Sequence, residues 1–170
     1  MDFFSLIQSR RSIRLFKDTP IEAEKLQKIL EAANLAPSAG NLQGYEIYVV
    51  IDPEQRQALV MAALGQGFLA QAPVDLVFCA NPQRSAVKYG KRGRELYSLQ
   101  DATIAGTYAM LAAQELGLST VWVGAFLEDP VRQAAGLPMD LLPVAILPIG
   151  YAAEDPKPRP RRKLEDLVHR

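Results

Sequence analysis

The sequence is poor in the residues that enzymes most often use for proton and metal chemistry. Cys79 is the only cysteine among 170 residues, so no disulfide can form within the chain. It lies in the apolar run VDLVFCA, which predicts a small, buried, inert thiol. His169, next to the last residue, is the only histidine. A Ser-His-Asp or Cys-His arrangement therefore has no well-placed base. A His- or Cys-based zinc site lacks ligands, and no metal is expected. No apolar run approaches the length of a membrane span, because Pro143, Pro148 and Gly150 break the longest candidates. The opening MDFFSLIQSRR has its acid first and its basic pair after the apolar stretch, the reverse of a secretory leader. A cytoplasmic chain is expected. Any hard chemistry should belong to an organic cofactor, with the protein supplying binding and electrostatics.

Net charge is also lacking: 19 Lys and Arg balance 19 Asp and Glu. Neither a nucleic-acid surface nor a membrane partner is implied. The composition, 49% hydrophobic and 22% charged, fits one globular domain over residues 1–170. The positive charge is unevenly spread, however. Three short segments hold 14 of the 19 cations: Arg10, Arg11, Arg14 and Lys17; then Arg84, Lys88, Lys91, Arg92 and Arg94; then Lys157, Arg159, Arg161, Arg162 and Lys163. Such clusters either build an anion site or form solvated faces.

Periodicity and capping signals predict the elements. Asp2 caps a helix over FFSLIQSR, and SIRLF is extended. Thr19-Pro20-Ile21-Glu22 has capping-box spacing and predicts a helix to about Leu35, with Leu26, Ile29, Leu30 and Ala33 inward. APSAGNLQG is a loop by composition. Residues 45–51, 74–80, 119–125 and 144–150 read as strands, the second covered on both faces. Residues 53–63 and 130–135 read as helices, and 81–95 as a basic loop. A basic tail, 154–170, is extended through Pro156, Pro158 and Pro160, with a strand or short helical turn over 162–168. Residues 101–116, DATIAGTYAMLAAQEL, form a helix that is apolar almost all round. Its small residues would admit another helix closely, which predicts a place at the centre of a dimer.

Three stretches carry candidate chemistry. In RRSIR, an extended backbone turns positions 10, 12 and 14 to one side, giving two guanidiniums and a hydroxyl. In PSAGNLQ, small residues admit a planar ligand, and Ser, Asn and Gln both donate and accept. In RPRR, proline restricts the backbone that carries Arg159 and Arg161. Each has a plain alternative: a solvated face, an ordinary turn, a basic tail.

RRSIR, then APSAGNLQ opening a strand, then DATIAGTYAMLAAQELGLSTVWVGAF, then RPRRKLEDLVH resemble, in that order, the nitroreductase family of FMN-dependent oxidoreductases. The resemblance runs from about Met1 to His169. It implies an α+β fold with a central, mostly antiparallel sheet flanked by helices, and an intertwined homodimer with FMN at the subunit interface. It implies that Arg10 and Arg161 hold the FMN phosphate, with Arg159 a further candidate and Arg11 and Ser12 in the same binding segment. Arg14 would lie near flavin N1 and O2, and Gln66 on the pyrimidine side. Pro37, Ser38, Ala39 and Asn41 match the segment donated by the other subunit. Gly124 and Ala125 match a strand end whose backbone faces N5. Hydride would pass from NADH or NADPH through the flavin to a small acceptor such as a nitroaromatic or quinone, with no catalytic side chain. Other reactions of the same fold (dehalogenation, dehydrogenation, flavin breakdown) and a non-catalytic FMN-binding module are the alternatives. Where the family usually has Pro-Trp after its Gln, Gln43 here precedes Gly44-Tyr45, which predicts a less rigid loop. No Gly-rich dinucleotide fingerprint follows any strand. Lys88, Lys91 and Arg92 fall where a substrate-facing loop could meet an anionic donor or acceptor, though a solvated loop is the simpler expectation.

Overall fold

The computed structural model describes residues 2–169. Local capping opens three of its helices. The Asp2 carboxylate accepts the amides of Phe4 and Ser5 and starts α1 (Phe3–Ser9). Asp52 does the same for α3 (Pro53–Ala62), with Pro53 at its first position. Asn81-Pro82 repeats the device for a further helix (Pro82–Arg92) where the composition predicts a loop. By contrast α2 (Ala23–Asn34) starts later than the Thr19–Glu22 spacing predicts. Glu22 makes no cap with its side chain; its carboxylate accepts the Tyr151 hydroxyl at 2.7 Å and lies 3.3 Å from Lys25 Nζ. A tertiary partner outcompetes the local box.

The sheet has the order β1 (Tyr45–Val50), β2 (Val74–Ala80), β4 (Leu142–Gly150), β3 (Ser119–Thr120), antiparallel throughout. Every residue of β2 is buried, as its continuous apolar run predicts. One face of the sheet carries α3 and α7 (Glu128–Ala135), packed on Val50, Val77, Cys79 and Ile146. The other carries α2 and α6 (Ser98–Glu115), packed on Leu76, Phe78, Leu147 and Ile149. Burial pushes the Cys79 thiol up to about 12. The segment expected as a single strand over 119–125 is interrupted. After Thr120 it rejoins β4 only at Val123, whose backbone exchanges two 3.0 Å hydrogen bonds with Ile146. Between them Trp122 turns onto α6, where a Cβ on Gly106 would lie 2.9 Å from its ring. One small-residue face of α6 is used within the chain, where Ala102, Ala105, Ala109 and Ala113 pack against the sheet and α2, while Leu99, Thr103, Ile104 and Thr107 stay partly or fully exposed. The expected loop over 81–95 ends instead in a single π-helical turn (Gly93–Tyr97). The fourth short helix of the first half, α4 (Phe68–Gln71), leads into β2, and the basic helix over Pro82–Arg92 is α5. The tail ends in a 3-10 turn (Leu164–Asp166), one of its two expected forms. Among the described residues no helix is long and apolar enough to cross a membrane.

Asp75 is the exception in β2. Its side chain is fully buried, and neither carboxylate oxygen has a partner among the described residues. Burial raises its pKa well above the ordinary carboxylate value, with Arg56 pulling weakly the other way. A raised pKa means that the folded chain holds a proton which the unfolded chain releases. The associated stability is complete below the unfolded pKa and is lost as pH rises towards the folded one. Asp75→Asn is expected to match wild type in acid and to exceed it increasingly as pH rises above the ordinary carboxylate value. Urea unfolding at a series of pH values checks this, and a pH-independent difference would refute it.

Candidate functional site

The N-terminal segment meets β3 and the stretch just after β4. The Ile13 amide donates to the Thr120 carbonyl at 3.1 Å, the Lys17 amide to Tyr151 at 2.8 Å, and the Ala153 amide to Leu15 at 2.8 Å. The Arg14 amide donates to the Glu154 carboxylate. Ile13 and Phe16 are buried with Ala72 in a small cluster, which anchors the segment and turns its polar side chains outward. These bonds place the basic clusters of the two ends on either side of one cleft of about 580 Å³. Arg10, Arg11, Ser12 and Arg14 line one wall, and Lys157, Arg159 and Arg161 the other. Six of the sequence-predicted site residues thus come together. Lys157 joins them; it belongs to the same basic tail, but its role was not legible from spacing.

The cleft is electrostatically one-sided. Among the described residues no carboxylate forms an ion pair with any of its cations, and no acid lines it. Arg10 is half-buried, and its Nη1 has no hydrogen-bond partner. Burial, and then the like charges of Arg161 and Arg11, pull its pKa below the ordinary guanidinium value. Buried donors are normally satisfied, and an anion is the acceptor that would also offset the like charges around Arg10. A phosphate group fits that requirement: its oxygens accept from several guanidiniums at once.

Pro37, Ser38 and Ala39 lie elsewhere, lining a cleft of about 600 Å³ with Tyr97, Leu99, Gln100, Asp101, Thr103 and Ile104 at the start of α6. The loop is held from inside. Asp101, 2% exposed, accepts the amide of Ala39 at 3.0 Å with one oxygen and that of Gly44 at 3.1 Å with the other. Ser38 Oγ accepts the Gln43 amide at 2.9 Å. Asn41 is exposed at φ 56°, and its side chain accepts from Gln43 at 3.3 Å. Where Gly44-Tyr45 replaces the family's usual Pro-Trp, the Gly44 amide supplies part of this tether. Proline at 44 has no N–H to give Asp101, and a Cβ there would lie 2.0 Å from Ser85 Oγ. Asp101 was missed as a site residue because an acid in the first turn of a helix reads as ordinary helix chemistry.

Gln66, Gly124 and Ala125 form a third group. The Gln66 side chain donates to the carbonyls of Ala63 at 2.9 Å and Ala125 at 3.0 Å, fixing the exposed Gly124-Ala125 backbone. In a single chain, then, the sequence-predicted residues fall into the basic cleft, the α6 cleft with Asn41 beside it, and this strand end. None of these predicted residues is a histidine, cysteine or carboxylate; their chemistry suits binding and orienting.

Comparison with known proteins agrees. The family model described as nitroreductase family matches residues 7–67 and 54–151. The chain is 34% identical to the FMN reductase [NAD(P)H] of Bacillus subtilis, over 96% of this chain and 71% of that protein. It superposes on the NADPH:FMN oxidoreductase of Vibrio harveyi, solved in complex with NAD+, with a TM-score of 0.90, 30% identity, and coverage of 98% of this chain and 76% of that one. An FMN-dependent nitroreductase from Clostridium difficile matches with a TM-score of 0.81 and 32% identity, over 98% of both chains. The fold is that of the nitroreductase-type oxidoreductases, and the chain belongs to the nitroreductase family.

The tether can be weighed. Two hydrogen bonds from buried amides to a carboxylate are worth about 3 kcal/mol together. Asp101→Ala is expected to lose about that much stability in urea unfolding, and Asp101→Asn, with one acceptor left, about half. A change below about 0.5 kcal/mol in the alanine variant would show that the loop holds itself.

Proposed function

We propose that this protein is a cytoplasmic NAD(P)H-dependent FMN oxidoreductase that works as a homodimer and reduces a small oxidised acceptor such as a nitroaromatic or a quinone. The observation that carries the reading is the buried, unpartnered Arg10 Nη1 in a cleft whose only charged lining residues, among those described, are cations. When bound, FMN supplies the hydride chemistry, accepting from NADH or NADPH and delivering to the acceptor. The protein's residues bind and orient. Arg10 and Arg161, with Arg11, Ser12, Lys157 and Arg159 beside them, hold the phosphate. Arg14, on the same wall, sets a fixed positive charge beside the pyrimidine edge, where negative charge collects on reduction. Gln66 fixes the Gly124-Ala125 backbone that faces the ring's reactive edge.

The second subunit completes the site. Pro37, Ser38, Ala39 and Asn41 stand apart from the basic cleft of their own chain, and the Asp101 tether presents them outward to a partner's flavin. Exposed aromatics support the association: Phe3 is 60% and Phe4 68% exposed on α1, an apolar surface that solvent does not favour.

The purified protein is expected to be yellow and to be bleached by NADH or NADPH under anaerobic conditions. A bound flavin that neither nicotinamide reduces would point to another reaction of the fold or to a non-catalytic FMN module. A colourless protein that takes up no FMN would overturn the reading. Arg161→Ala removes a charge-assisted phosphate contact and is expected to weaken FMN binding by about 2 kcal/mol, roughly 30-fold, in a fluorescence titration. An unchanged affinity would remove Arg161 from the site.

A further inference from the structure

The second basic cluster takes no part in the phosphate cleft. Residues 82–97 carry Arg84, Lys88, Lys91, Arg92 and Arg94 against a single acid, Glu95, which lies 3.9 Å from Lys91. Among the described residues the other four cations have no carboxylate partner. The helix that carries them is seated on the loop at 37–43. Arg84 Nε donates to the Leu42 carbonyl. A Cβ on Gly40 would lie 2.5 Å from the Tyr89 hydroxyl and 3.0 Å from Lys88 Nζ, so the loop passes directly under these two side chains.

Two tyrosines organise the charges. Tyr89 and Tyr97 meet edge to face, with ring centroids 5.1 Å apart and planes at 85°. Each ring carries a cation: Lys88 Nζ lies 5.4 Å from the centroid of Tyr89, and the Arg92 guanidinium 5.4 Å from that of Tyr97. Arg92 Nε also donates to the Tyr97 hydroxyl at 3.0 Å, which fixes the guanidinium plane and leaves its two Nη groups to receive a ligand. Tyr97 is itself part of the α6 cleft, whose walls include Pro37, Leu99 and Ile104. That cleft therefore has an apolar floor; among the described residues the only charged one in its walls is Asp101, whose oxygens are taken by the loop amides, and just outside its Tyr97 end Arg92 on the Tyr97 ring forms a cationic rim. A flat ring suits the floor and an oxyanion suits the rim, since a carboxylate or phosphate accepts from a guanidinium fork bidentately.

We propose that the Tyr97 end of the α6 cleft is a subsite for an anionic group on a planar ligand, and that Arg92 and Lys88 make the protein prefer anionic ligands to neutral ones of the same shape. The proposal rests on the flavin reading in one respect: the residues at 37–41 border both this cleft and the flavin of the partner subunit. Two ligands share the chemistry. One is an aromatic acceptor bearing a carboxylate; the other is the phosphorylated end of the nicotinamide donor.

The test is the double variant Lys88→Ala/Arg92→Ala beside wild type. Isothermal titration calorimetry with benzoate and benzamide reads the subsite without turnover and without the flavin. Benzoate is expected to bind wild type more tightly than benzamide and to lose about 10-fold or more in the variant, while benzamide is unchanged. The same pair of proteins is then assayed for KM with 4-nitrobenzoate against nitrobenzene, and with NADPH against NADH. A rise confined to 4-nitrobenzoate assigns the subsite to the acceptor, and a rise confined to NADPH assigns it to the donor's extra phosphate. Equal effects on charged and neutral ligands, or none, overturn the proposal. FMN uptake by wild type is measured first; its failure counts against the flavin reading, and the calorimetric comparison still decides the subsite.

Discussion

The arrangement depends on bringing two like-charged chain ends together. Residues 12–17 pair with Thr120 and with 151–153, and those backbone bonds hold Arg10, Arg11 and Arg14 against Lys157, Arg159 and Arg161. Left to electrostatics, these side chains would separate. Sheet pairing and the burial of Ile13 and Phe16 hold them in place, and an anion in the cleft offsets the repulsion. Any ligand that supplies that anion stabilises the folded chain by mass action. Affinity for the ligand and closure of the two ends are thus one property.

A second constraint acts at the far cleft. Asp101 is buried at the start of α6 and spends both oxygens on the loop, through Ala39 and Gly44. Its position is secured by the alanines that follow it, which let α6 lie close on β2 and β4. A core decision, small residues on α6, therefore sets where a surface loop stands. The basic helix α5 reaches the same loop from outside through Arg84 and Tyr89. Core, loop and charged helix meet within a few residues of Gly40.

Much of this was legible in the sequence wherever a local rule and the tertiary structure agree. Asp2 caps its helix as written, a helix starts at Pro53 as its segment predicts, and the apolar run of β2 is buried on both faces. The members of the basic cleft were legible as residues, since RRSIR and RPRR have the chemistry of an anion site. Their meeting was legible only through family resemblance, because the bonds that join them link positions more than a hundred residues apart. What escaped has physical causes. Asn81-Pro82 is as good a helix start as Asp52-Pro53, but the basic, glycine-containing stretch behind it reads as loop. Thr19 to Glu22 has the spacing of a box, yet Tyr151 takes the carboxylate. Asp101 looks like ordinary first-turn chemistry until its two loop amides are seen. One small face of α6 is filled by the chain's own sheet, which a helix apolar almost all round did not single out.

The central claim is that the joined chain ends form a phosphate site for FMN. Comparing FMN with riboflavin in titrations of the flavin-free protein tests it most directly, because the two ligands differ only in the phosphate. FMN is expected to bind at least about 100-fold more tightly, as two or more charge-assisted contacts require. The gap should narrow as salt screens the cleft. Equal affinities for FMN and riboflavin would contradict the claim.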